Sequence, residues 1–154
     1  MKTPVAVAAV VLTLGAGLVW WTSNSDDCAD AASLIEAEPV SVVSPCDQNN
    51  LGDIYYYGDG VEQDFTQAVK WFRLAADQDY PDAQHNLGEM YFNGEGVSRD
   101  YEQAHFWLSL AADEWGRIGT AAKEFRDQVA SFLTPEQIER SLARVAAWKP
   151  SASP

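Results

Sequence analysis

The chain has 154 residues and a formal net charge of −13 at pH 7, with 23 acidic residues against 10 basic ones. This length fits one domain with a core of its own, for which six Trp, six Tyr and six Phe supply large side chains. Because the surplus negative charge repels phosphates, nucleic acids and anionic lipid headgroups are poor direct partners.

The first 21 residues are predicted to be a signal peptide or a membrane anchor. After Lys2 no charged residue occurs up to Trp21, a stretch long enough for either role. The nearest small-residue cleavage pattern, Ala29-Asp-Ala31, lies too far along the chain, and Trp20 is of a type that anchors helices at membrane interfaces. We favour an uncleaved anchor, with a cleaved signal and a buried core helix as alternatives. With an anchor or a signal, the chain from residue 22 onward would be periplasmic. An anchor would hold it at the inner membrane, and a cleaved signal would leave it soluble.

Residues 22–45 are predicted to be a polar connector with a short helix. The segment from Cys28 to Glu38 has helix-forming composition and ends before Pro39. The two cysteines of the chain, Cys28 and Cys46, bracket this segment. In an oxidising compartment they predict one disulfide that closes a loop of about 17 residues and stabilises by roughly 3 kcal/mol. Two free thiols, or a bridge between two copies of the chain, are the alternatives.

Residues 50–77 and 86–113 are two copies of one sequence, 36 residues apart. Fifteen of the 28 aligned positions are identical, and a fixed period of this size indicates stacked supersecondary units. Most identities are apolar residues and loop glycines that two packed helices require. A glycine inside a helix costs about 1 kcal/mol relative to alanine, so the matched pair Gly52 and Gly88 indicates a close helix approach.

Each copy is predicted to form a helix A and a helix B. In the first copy the apolar helical pattern stops at Gly58, a residue suited to a left-handed C-terminal cap. Asp64 is a good N-cap for helix B, and Gln67 completes a capping-box pattern. The apolar face of helix B comprises Phe65, Ala68, Trp71, Phe72 and Ala75. Since every strong period is helical, the chain is predicted to be all-α.

The repeat resembles the Sel1-like repeat family, a longer-looped relative of the tetratricopeptide repeat. The matching motifs of the first copy are Leu51-Gly52, Tyr55, Gly58-x-Gly60-Val61, Asp64, Ala68, Trp71 and Ala75-Ala76, and the second copy repeats them. A 34-residue tetratricopeptide unit accommodates neither the 36-residue period nor the Gly-x-Gly-Val loop. The resemblance covers residues 46–119 and implies a short α-solenoid used for protein–protein contact, with no fixed activity.

Residues 120–150 are predicted to be a degraded third repeat and a C-terminal cap. A turn ends at Pro81, which opens the second copy, and the segment from Glu114 to Gly119 takes the same role after it. The segment from Thr120 to Phe132 is then a third helix A that lacks the glycine loop.

A last helix is predicted from Thr134 to Trp148. Thr134 is the N-cap, Pro135 the first helical residue and Gln137 the reciprocal capping partner, while Pro150 terminates the helix. Such a unit covers the open end of a solenoid.

Positions on the outer side of helix A where the copies differ are candidates for binding, because packing does not dictate the residue there. In a right-handed solenoid helix A lines the concave side, so these positions are expected to form one wall of a groove. They are Asn49, Asp53, Tyr56 and Tyr57 in the first copy and His85, Glu89, Phe92 and Asn93 in the second. Tyr56, Tyr57 and Phe92 would be the anchors of a protein-binding surface. The alternative is that one or more of these rings packs against a neighbouring helix.

Acidic residues are concentrated before the cap. The segment from Asp26 to Glu114 contains 19 acidic residues against 3 basic ones, whereas the segment from Trp115 onward contains 4 against 6. A surface with this excess of negative charge attracts a basic protein surface or peptide and accelerates its association. The alternative is a solvated face that keeps an exported protein soluble.

No catalytic residue, cofactor site or metal site is predicted. His85 and Glu89 are four residues apart on a helix, a spacing that usually only stabilises an exposed helix. His105 aligns with Val69, which favours a packing or surface role. Nucleophile–base pairs, phosphate loops and metal-ligand clusters are not recognisable, and neither histidine has ligand spacing from a cysteine.

These features favour a scaffold or regulator that holds a protein partner in the bacterial cell envelope. The alternative is a periplasmic immunity protein that binds and neutralises an antibacterial, phospholipase-type effector, a role that the resemblance to small exported Sel1-like proteins implies. A distant alternative, β-lactam binding or hydrolysis, is associated with cysteine-rich members of the family, but no disulfide lies within either copy. The membrane would be contacted through the N-terminal segment alone.

Overall fold

The computed structural model describes residues 44–113, 116–148 and 150, which form six helices and no strand. The helices are α1 Pro45–Tyr57, α2 Phe65–Ala76, α3 Pro81–Asn93, α4 Tyr101–Ala112, α5 Arg117–Ala130 and α6 Pro135–Ala146. The predicted signal or anchor, and the predicted connector up to residue 43, lie outside the described residues. Within the described ranges, no helix combines the length and the apolar character needed to cross a membrane.

Helices α1 and α3 are the A helices of the two copies, and both end as predicted. The backbone at Gly58 is left-handed, with φ of 76°, and its amide donates to the carbonyl of Ile54. Gly94 has φ of 78° and closes α3 in the same way. The two loops therefore begin with the same backbone conformation.

Helices α2 and α4 are the B helices, and each begins at a capping aspartate. In the first copy the carboxylate of Asp64 accepts hydrogen bonds from two backbone amides of the first turn, at 2.8 and 3.0 Å. The predicted reciprocal role of Gln67 is wrong, because its side chain accepts from Lys70 Nζ at 3.4 Å instead. The complete capping box is found in α6, where Thr134 and Gln137 cap each other.

The two helix glycines permit the close approach predicted for them. A Cβ atom on Gly52 would lie 2.4 Å from the ring of Phe72, and one on Gly88 would lie 2.7 Å from Leu108 Cγ. Both distances are too short for any side chain. The missing side chains thus leave room for Phe72 and Leu108 of the facing B helices.

The main core is a continuous layer across α2, α3 and α4. It consists of Ala68, Phe72, Ala75, Ala76, Ala83, Leu87, Met90, Phe106, Trp107 and Leu110. Equivalent buried positions are expected for Trp71 and Trp107 from the repeat, and Trp107 is indeed buried, but the expectation is wrong for Trp71, which is only half buried. Leu74 is likewise 44% exposed where its equivalent Leu110 is 8% exposed.

The difference between the tryptophans follows from their neighbours. Trp107 packs against Phe106 and Trp148, with ring centroids 4.9 and 5.3 Å away. Trp71 contacts a small separate cluster that contains Leu51 and Ile54. Among the described residues, the second copy therefore has an additional layer on this side that the first copy lacks.

The C-terminal cap departs from a regular repeat. Helix α5 begins at Arg117, so the turn predicted to extend to Gly119 is too long. Helix α6 ends at Ala146 rather than at Trp148, whose ring leaves the helix to cover Trp107. Helix α6 packs mainly against α4 and makes few contacts with α5, although a short turn joins α5 to α6. The cap is therefore not a third A–B hairpin.

Candidate functional site

The eight predicted groove residues are not equally accessible. Exposed side chains are those of Tyr57, Glu89 and Asn93, half-buried ones are those of Asp53, Tyr56, His85 and Phe92, and Asn49 is buried. The most exposed ring is Tyr57, with 67% of its surface accessible. The accessible part of the predicted groove wall thus lies near the C-terminal ends of α1 and α3.

Asn49 connects the two repeats. Its Nδ2 donates to Asp53 Oδ2 at 3.2 Å, and its Oδ1 accepts from Asn86 Nδ2 at 3.1 Å. Asn49 is 6% exposed, so a partner could reach little of it. Its role is the packing of α1 against α3.

The ionised form of the Asp53 carboxyl group is destabilised by its surroundings. Its partial burial and the neighbouring carboxylate of Asp82 raise its pKa from 3.8 to about 6, although the hydrogen bond from Asn49 opposes this shift. At pH 7 the ionised form prevails at a cost in stability. The side chain contributes negative potential to this face of α1.

Phe92 packs within the protein, as the alternative interpretation of the aromatic rings expects. Its ring centroid lies 5.1 Å from that of Phe125, 5.5 Å from that of Tyr101 and 5.6 Å from that of Phe132. The His85 ring also approaches Phe125, at 6.3 Å. Helix α5 and the residues after it therefore partly cover His85 and Phe92 of the second copy, while Glu89 and Asn93 stay exposed.

Tyr56 lies at the junction between the two repeats. Its ring meets that of Tyr57 edge-on, with centroids 5.0 Å apart, and its hydroxyl donates to Glu95 Oε2 at 3.2 Å. Asn93 Nδ2 reaches the same oxygen at 3.4 Å. Burial and the charges of Glu95 and Glu89 raise the pKa of Tyr56, so its hydroxyl stays protonated and continues to donate.

Glu95 is the site residue that sequence reasoning missed, because it lies in the loop and not on helix A. A signal was available, since both loops carry an acid between their glycines, Asp59 in the first copy and Glu95 in the second. The neighbouring Gly96 brings this loop onto the first repeat. A Cβ there would lie 2.3 Å from the carbonyl oxygen of Phe65, and φ is 67°.

Neither a catalytic nor a metal site is evident among the described residues. His105 Nδ1 lies 2.8 Å from Ser141 Oγ, but both side chains are buried between α4 and α6, where a substrate cannot reach them. Burial lowers the pKa of His105, as expected of a packed neutral histidine. No group of three or more potential metal ligands occurs in the described ranges. Cys46 lies in the first turn of α1, while Cys28 is outside the described residues, so their disulfide remains a prediction.

Two stretches of the chain, residues 47–80 and 81–114, match the family model described as Sel1 repeat. A protective antigen present in uropathogenic Escherichia coli strains, described as displaying an SLR fold, superposes with a TM-score of 0.62 at 34% identity. The match covers 68% of this chain and 22% of that one. The Sel1 repeat protein from Oxalobacter formigenes superposes with a TM-score of 0.54 at 27% identity, over 68% of this chain and 44% of that one. The chain thus spans less than half the length of either protein. No curated protein matches the chain in sequence.

Proposed function

Because the chain is a Sel1 repeat protein, built on a repeat that generally serves protein–protein interaction, we propose that it holds or regulates a basic protein partner in the bacterial cell envelope. The observation that carries this proposal is the junction between the repeats. There the exposed ring of Tyr57 lies next to the ring of Tyr56. Burial and the negative charges of Glu95 and Glu89 raise the pKa of the Tyr56 hydroxyl. An accessible tyrosine ring is a typical anchor of a protein interface.

Charge supports a basic partner. Residues 44–113 carry 13 acidic side chains against three basic ones, Lys70, Arg73 and Arg99. Arg73 is occupied within the fold, because its guanidinium lies 5.2 Å from the ring of Trp107 and donates to the hydroxyl of Tyr91. The surplus negative potential would steer a positively charged surface toward this face and accelerate its association.

The proposed location depends on the N-terminal segment. The uncharged stretch after Lys2 supports export, and the pair Cys28 and Cys46 fits an oxidising compartment, where one disulfide would form. The Sel1 fold is typically a non-catalytic interaction scaffold, and the buried His105–Ser141 contact supports a structural role for that pair.

A periplasmic immunity protein is the second candidate. The same acidic junction would cover a basic face of a phospholipase-type effector and block it. The two functions differ in their partner, so a toxin gene beside the gene for this chain would favour immunity. An envelope sensor or assembly factor recovered with the chain would favour the scaffold.

Photo-crosslinking in cells tests the proposal. A crosslinking amino acid placed at Tyr57 should capture a protein with a basic surface, while the same group at Leu142, which is 46% exposed on α6, serves as the control. Truncation of an interface anchor typically costs about 1 to 3 kcal/mol of binding free energy, so Tyr57→Ala should measurably weaken the captured complex. Capture from Leu142 but not from Tyr57 would contradict the proposed surface.

A further inference from the structure

Trp148 covers the aromatic face of α4 from beyond the end of α6. Its ring meets those of Trp107 and Phe106 edge-on, with centroids 5.3 and 5.7 Å apart. Its backbone amide donates to the carbonyl of Val145 at 3.0 Å, but its indole Nε1 finds no acceptor among the described residues. Contacts between rings therefore hold this side chain in place.

The packed pair contains two buried donors without an acceptor. Trp107 Nε1 is buried and, like Trp148 Nε1, donates to no residue that the structure describes. A buried indole N–H usually has an acceptor, because otherwise the cost of removing it from water is not recovered. An outward movement of Trp148 returns its own donor to water and uncovers the ring that carries the second donor.

Helix α6 is fastened to α4 by contacts that do not involve Trp148. Ser141 Oγ lies 2.8 Å from His105 Nδ1, and both side chains are buried between the two helices. The guanidinium of Arg140 donates to both carboxylate oxygens of Glu102, at 2.7 and 3.3 Å. Helix α6 can therefore stay docked while the residues after it move.

The link between α6 and Trp148 is short and unobstructed. Helix α6 ends at Ala146, and the amide of Ala147 donates to the last carbonyls of the helix. The side chains of both alanines are exposed. Movement of Trp148 about Ala147 therefore requires no other packed side chain to leave its place.

The first copy shows that the repeat tolerates a partly exposed tryptophan at this position. Trp71 is the equivalent of Trp107, yet it is only half buried and packs against a small cluster that contains Leu51 and Ile54. The first A–B hairpin thus folds without a cover of this kind. Uncovering Trp107 is therefore expected to leave the second hairpin intact.

We propose that Trp148 is a latch that swings off α4 while α6 and both repeats stay folded. The closed latch buries Phe106 and Trp107, whereas the open latch presents their aromatic face to solvent and gives both indole donors access to water. The latch thus controls access to a face of α4 that the closed structure hides. This device is independent of the proposed function, because it uses no residue of the junction between the repeats.

Hydrogen exchange of the indole N–H groups, followed by NMR on the full-length chain, tests the latch. Single Trp→Phe variants assign the six indole signals. After correction for intrinsic rates, the indole protons of Trp148 and Trp107 should exchange at least about tenfold faster than the backbone amides in the middle of α4, which require a larger opening. Equal corrected rates would overturn the inference, since these protons would then exchange only when the cap unfolds. A long-lived water in contact with both indole protons would also overturn it, because the donors would then be satisfied.

Trp148→Ala removes the latch, and Leu142→Ala is the matched control because Leu142 is an exposed apolar side chain of α6. Trp148→Ala should accelerate exchange of the Trp107 indole proton by about tenfold or more, while the backbone amides of α6 keep their protection. Leu142→Ala should change neither. Loss of protection throughout α6 in Trp148→Ala would show that the latch and the helix move as one unit and would overturn the proposal. An unchanged Trp107 signal would do the same, because Trp148 would then not control its exposure.

Discussion

Replacing the two repeat tryptophans by alanine separates the effect of the repeat position from the effect of the neighbouring layer. Trp71 and Trp107 occupy equivalent positions, but Trp107 is 2% exposed whereas Trp71 is half buried. Trp107 also contacts Phe106, Trp148 and the guanidinium of Arg73. We expect Trp107→Ala to destabilise the protein more than Trp71→Ala.

The magnitudes follow from the buried area. A fully buried tryptophan removes roughly 200 Å² from water, which at about 25 cal/mol/Å² gives about 5 kcal/mol as an upper value. Trp107 Nε1 is buried without a hydrogen-bond partner, and removing such a donor returns about 1 to 3 kcal/mol. The expected net loss for Trp107→Ala is therefore about 3 kcal/mol, within the range seen for core tryptophans. For Trp71, which is only partly buried, we expect a smaller loss of about 1 to 2 kcal/mol, because water and neighbouring side chains can fill the space that truncation leaves at its exposed side.

Thermal unfolding followed by circular dichroism measures the difference. For a domain of between 100 and 150 residues each 1 kcal/mol lowers Tm by about 4 °C, so Trp107→Ala should lower it by about 12 °C. Trp107→Phe is the control, because it keeps an aromatic ring and removes the unpaired N–H, and it should cost less than half as much. Equal Tm losses for the two alanine variants would refute the explanation from neighbouring layers.

Three further predictions concern titration and redox state. Burial lowers the pKa of His105 below 6.5, so the unfolded chain binds more protons and stability should fall as pH drops below about 6.5. In melting curves recorded at several pH values, His105→Gln should remove this part of the dependence of Tm on pH. An unchanged dependence would contradict a buried neutral His105. The pKa of Asp53 is raised to about 6 by burial and by Asp82, so its stabilising protonated form is lost as pH rises from about 4 to 6. Asp53→Asn should therefore raise Tm at pH 7 but not at pH 4. A lower Tm at pH 7 would argue against a destabilised ionised form of Asp53. Cys28 and Cys46 should resist thiol labelling in protein recovered without reductant from the periplasm, whereas stoichiometric labelling of both would exclude the disulfide.

Local backbone chemistry was sufficient to predict the repeat and most helix ends. Gly58 ends α1, Asp64 caps α2, Pro81 opens α3 and Thr134 caps α6, each as expected from its own conformational or capping preference. These effects act within about four residues, so they can be read from the order of residues alone. The 36-residue period then implied that the two hairpins stack.

Tertiary structure decided which of the repeated residues are accessible. Tyr56 and Phe92 hold the same repeat position, but Phe92 is covered by α5 while Tyr56 bonds to a loop acid of the next repeat. Trp71 and Trp107 differ in the same way, because Trp148 reaches Trp107 from outside its own repeat. Burial depends on what the rest of the chain places against a residue, and those contacts join residues some 33 to 41 positions apart. A period establishes that two copies are alike, whereas their exposed surfaces differ because each copy has different neighbours.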